Sequence, residues 1–102
     1  VGVLFDSTMT TQNWWLVGVA GAVSAIKQDS GLAPSAATVE TWRIEVSATG
    51  VATFYRNNVL IGSAMSGAVT ATVPLTPVVA TFSRTNASRN VDVDFIATQA
   101  QR

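Results

Sequence analysis

The chain contains no cysteine and no histidine in its 102 residues. Without cysteine there is no disulfide and no thiolate chemistry, and nothing marks the redox compartment. Without histidine, the commonest general base and the commonest transition-metal ligand are both missing. Charge is scarce: six basic and six acidic residues cancel and make up only 12% of the chain, about half the usual share. That balance leaves no electrostatic footprint for nucleic acid or for an anionic membrane surface. No apolar run approaches the roughly 20 residues that cross a bilayer. The N-terminus lacks the basic-then-apolar pattern of a signal peptide, so membrane insertion is not expected. Helical patterning is missing too, since no window places apolar residues at i, i+3, i+4 and i+7.

What is present is apolar and small. Hydrophobic residues make up 48% of the chain, and the commonest types are 15 Val, 15 Ala, 13 Thr and 9 Ser. The exterior must therefore consist mostly of Thr, Ser and Ala. A free monomer usually stays soluble through charge, so this composition predicts a chain that works inside an assembly. The length suits a single domain over residues 1–102. Val1 stands where an initiator methionine would, and the start is expected to be processed or truncated from a longer chain.

The clearest pattern runs from Thr41 to Gly62. Trp42, Ile44 and Val46 alternate with Arg43, Glu45 and Ser47, which puts three apolar groups on one side of an extended chain. Ser47-Ala48-Thr49-Gly50 supplies a hairpin turn with Gly50 free to take positive φ. Val51 to Arg56 is β-branched and aromatic. Asn57-Asn58 then tolerates the left-handed conformation of a two-residue turn before Val59 to Gly62. The stretch predicts a three-stranded meander.

Either side of it, Val1 to Phe5, Trp14 to Ala20 and Val23 to Gln28 read as strands, the last two separated by a turn at Gly21-Ala22. Asp29-Ser30-Gly31 is a turn signal. Leu32 to Val39, with Pro34, reads as loop. Ser63 to Val73 alternates small residues and gives little direction. Pro74 and Pro77 mark a strand start or a sheet edge. Val78 to Ser83 predicts a strand, Thr85 to Asn90 a polar turn, and Val91 to Ile96 a final strand with Val91, Val93 and Phe95 inward; Gln99 to Arg102 is a polar tail. Seven or eight short strands at this spacing predict an all-β antiparallel sandwich or barrel. The expected core is Trp42, Ile44, Val46, Phe54, Phe82, Val93 and Phe95.

The run Trp42-Arg-Ile-Glu-Val, small-residue turn, Ala52-Thr-Phe-Tyr, Asn-Asn turn, Val59-Leu-Ile-Gly, followed by Leu75-Thr-Pro-Val and Arg89-Asn-Val-Asp-Val-Asp-Phe, resembles the C-terminal part of concanavalin-like (laminin-G-like) jelly-roll domains. The resemblance covers roughly residues 41 to 98. It implies a jelly-roll sandwich of the kind found in tailed-phage virion proteins, including head decoration proteins, head fibres and tail components. Asn57-Asn58 stands where many such domains carry Asp-Gly, and the lectin-type metal ligands have no matching cluster here.

Asp92 and Asp94, two apart on an expected strand, would lie on one side with Cα atoms about 7 Å apart. Glycosidases resembling this fold use acids so spaced, and retaining chemistry wants carboxyl groups roughly 5–5.5 Å apart. The usual third acid is missing, since Ile96 and Ala97 follow, and a charged strand face near Arg84 and Arg89 is the simpler account. Calcium ligation by the pair would need several more oxygens. Trp14, Trp15 and Tyr55 are the candidate ligand or interface residues, because flat aromatic faces suit both sugars and subunit contacts. Neighbouring strand residues face opposite ways, so one of the two tryptophans should point outward. Asn86-Ala87-Ser88 matches the glycosylation triplet but reads as a turn. There is no phosphate-cradling glycine loop, no metal motif and no serine with a candidate base, so neither cofactor nor enzyme activity is expected.

These features together predict a non-enzymatic virion structural protein, a phage capsid decoration or fibre/tail protein acting by subunit packing. Its expected partners are copies of itself and other capsid or tail proteins. The alternative is a carbohydrate-binding, lectin-like module that meets surface glycans through outward aromatics. A third reading is a remnant glycoside hydrolase centred on Asp92 and Asp94.

Overall fold

The computed structural model describes residues 1–21, 24–82 and 92–99. Among them the chain is all-β with no helix, built from six strands in two three-stranded antiparallel sheets. The first sheet comprises β1 (Gly2–Phe5), β2 (Trp14–Gly18) and β3 (Ile26–Asp29), with β2 central. The second comprises β4 (Trp42–Val46), β5 (Ala52–Arg56) and β6 (Val59–Met65), with β5 central.

The expected meander is the second sheet. Trp42 pairs with Arg56, Ile44 with Phe54 and Val46 with Ala52, and residues directly opposite in an antiparallel pair share a face. Gly50 adopts φ 77° in the first turn, where Ser47 N–H donates to Val51 C=O at 2.9 Å. Asn57 and Asn58 both take positive φ, 51° and 65°, the backbone that a two-residue hairpin of matching twist requires. Strand β6 runs three residues past the expected Gly62, and its pairing with β5 shifts register between Ala52 and Phe54.

The sheets lie face to face in a sandwich-like arrangement. Leu16 of β2 and Phe54 of β5, both fully buried, meet in one cluster with Ala52, Met65 and Ala68, and Val3, Trp42 and Ile61 pack against it. A connector after β6 closes one end. Ala68 C=O accepts from Val19 N–H at 2.9 Å while Ala68 N–H donates to Gly50 C=O at 3.0 Å, so one small residue ties both sheets together. Gly18 makes this approach possible: a Cβ there would lie 2.6 Å from Ala68 Cα.

Three expectations are corrected. Strand β3 starts at Ile26, because residues 24 and 25 are irregular; Ala22 and Val23 lie outside the described residues. Residues 78–82 and 92–96 form no strand. Their side chains find no second layer: Phe82, Val93 and Phe95, expected in the core, are 86%, 46% and 69% exposed. Local β propensity needs a neighbouring strand to pay its backbone hydrogen bonds, and here none pairs with these segments. Ile44 and Val46 do face inward but sit at the rim, 37% exposed each, because β4 is the last strand of its sheet. Ser83, Arg84, the Thr85 to Asn90 turn with its Asn86-Ala87-Ser88 triplet, Val91 and residues 100–102 lie outside the described residues.

Candidate functional site

Strand parity decides which aromatic goes where. Leu16 faces the core, so Trp14 and Gly18 share its side while Trp15 and Val17 face outward. Trp14 is flanked edge-on by Phe5 (5.8 Å between centroids) and by Trp42 of the opposite sheet (5.7 Å). Such edge-to-face pairs add about 0.5–1.5 kcal/mol each beyond area burial. Trp14 is thus a ring in an inter-sheet aromatic row. Trp15, half-buried on the outer face, donates its indole N–H to Thr11 C=O at 3.3 Å.

Tyr55 follows the same rule on β5. Phe54 points in, so Tyr55 points out, and the Arg43 guanidinium sits 3.8 Å from its ring centroid. Arg43 also pairs with Glu45 next along that face. Trp15 and Tyr55 therefore lie on opposite outer faces of the two layers. The structure does not bring them together, and a single sugar-stacking platform made of both is not formed.

A polar cluster that no sequence motif marks lies beside the aromatic row. Arg56 has the same parity as Ala52 and Phe54 and so points inward, where its Nη2 donates to Glu40 Oε1 at 2.5 Å. Only 16% of the Arg56 side chain and 10% of the Glu40 side chain are exposed. Burial pushes the Glu40 carboxyl up, but the Ser35 N–H at 2.9 Å, the Arg56 hydrogen bond and charge, and the nearby Trp14 indole outweigh it; the net shift is downward. Among the described residues, Glu40 Oε2, Arg56 Nε and the indole nitrogens of Trp14 and Trp42 find no hydrogen-bond partner of good geometry. A carboxylate held in this way is a fixed anion rather than a proton carrier at neutral pH. The signal that could have revealed it was parity, since an arginine in phase with Ala52 and Phe54 must bring a partner inside.

A second carboxylate organises the loops at the same end. Asp29 accepts from Thr11 Oγ1 at 2.5 Å, Gly31 N–H at 2.8 Å and Asn13 Nδ2 at 2.9 Å, and these bonds, Thr11's first, hold its pKa below the ordinary aspartate value. It staples the 6–13 loop to the turn after β3. Asp92 and Asp94 are exposed and off any strand. Among the described residues no three acidic side chains gather to hold a metal ion, and no helix is long and apolar enough to cross a membrane. Comparison with protein-family models, with curated proteins and with solved structures found no match to this chain.

Proposed function

We propose that this chain is a non-enzymatic structural protein of a virus particle, a phage capsid decoration or fibre/tail component, whose two sheets form the core of a jelly-roll sandwich. Its work is to pack against copies of itself and against neighbouring shell or tail proteins. The observation that carries the reading is the number of large apolar side chains left in the open: Val78, Phe82, Phe95 and Ile96 on irregular segments, and Val59 and Leu60 on β6. A chain with so few charges that displays such a surface marks an association site. At about 25 cal/mol per Å2, a standard interface has ample apolar area to outweigh the entropic cost of docking. The open edges of β1, β3, β4 and β6 would be covered by neighbours. Size-exclusion chromatography with light scattering tests the reading. A stable oligomer is expected, and a well-behaved monomer at every concentration would refute it.

A further inference from the structure

We draw no further inference here: the strongest candidate, the outer face of the first sheet where Trp15 of β2 lies between Leu4 of β1 and Asp29 of β3, has its carboxylate already engaged by Thr11, Asn13 and Gly31, and nothing in the structure shows what covers it.

Discussion

Replacing Arg56 by methionine removes the cation while keeping an apolar stem of similar length, and the structure fixes what should follow. Glu40 stays nine-tenths covered and loses its cationic side-chain partner, while Ser35 N–H remains at 2.9 Å. Breaking a buried ion pair from one side costs about 3–5 kcal/mol. The pair here is not fully dry and the backbone donor survives, which lowers the expected loss to about 2–3 kcal/mol. Urea denaturation followed by tryptophan emission is a suitable assay, since Trp14 and Trp42 sit beside the pair. The pH dependence gives a second, independent reading. In the wild type the folded-state pKa of Glu40 is depressed, so its contribution is complete above the unfolded value and is lost as pH falls through the folded value. In Arg56→Met two of the lowering influences are gone, so burial counts for more and the folded pKa rises. The stability gap between the two proteins should therefore narrow on acidification from pH 7 towards pH 4. A variant within about 0.5 kcal/mol of wild type at pH 7, or a gap that widens in acid, would refute the reasoning.

Other perturbations probe the remaining contacts. Phe54→Ala, at a fully buried site between the sheets, should cost about 3–5 kcal/mol in chemical denaturation. Gly18→Ala would place a methyl group 2.6 Å from Ala68 Cα and 2.8 Å from Met65 Sδ; overpacking against backbone should cost about 1–3 kcal/mol and speed amide exchange at Val19 and Ala68, which share the hydrogen bond there. The Asp29 carboxyl, followed by NMR, should titrate below the ordinary aspartate range, and Thr11→Val should move its midpoint upward by removing the largest of its lowering hydrogen bonds.

Most of the layered body was legible in the alternation of large side chains, and what escaped had physical reasons. Trp42, Ile44 and Phe54 announce their faces because their neighbours are polar or β-branched; one register then places every residue of β4 and β5. Alternation also required one of Trp14 and Trp15 to face inward, but it could not say which until Leu16 set the phase. The connector after β6 gave no such signal. Met65, Ala68 and Val69 are buried, yet in a run of small residues burial is decided by a distant glycine, Gly18, rather than by local pattern. Arg56 blends into a β-rich run, although its phase with Phe54 means an inward charge. Residues 78–82 and 92–96 failed in the opposite direction. Their β-branched and aromatic content is real, but propensity for a pleated surface becomes a strand only where another edge supplies hydrogen bonds, and the described chain provides none to them. Trp15 and Tyr55 illustrate the limit for sites: parity assigns each to an outer face, but only the packing of the two layers shows that the faces are opposite.

Sedimentation velocity on the full chain, alongside a Phe82→Ser/Phe95→Ser double variant, addresses the exposed apolar segments most directly. The wild type should sediment as a discrete multiple of the 10.7 kDa chain, and the variant, whose two changes touch only exposed positions, should stay folded and shift towards the single-chain species. A wild type that sediments as one chain at all concentrations, or a variant that assembles as readily as the wild type, would contradict the account.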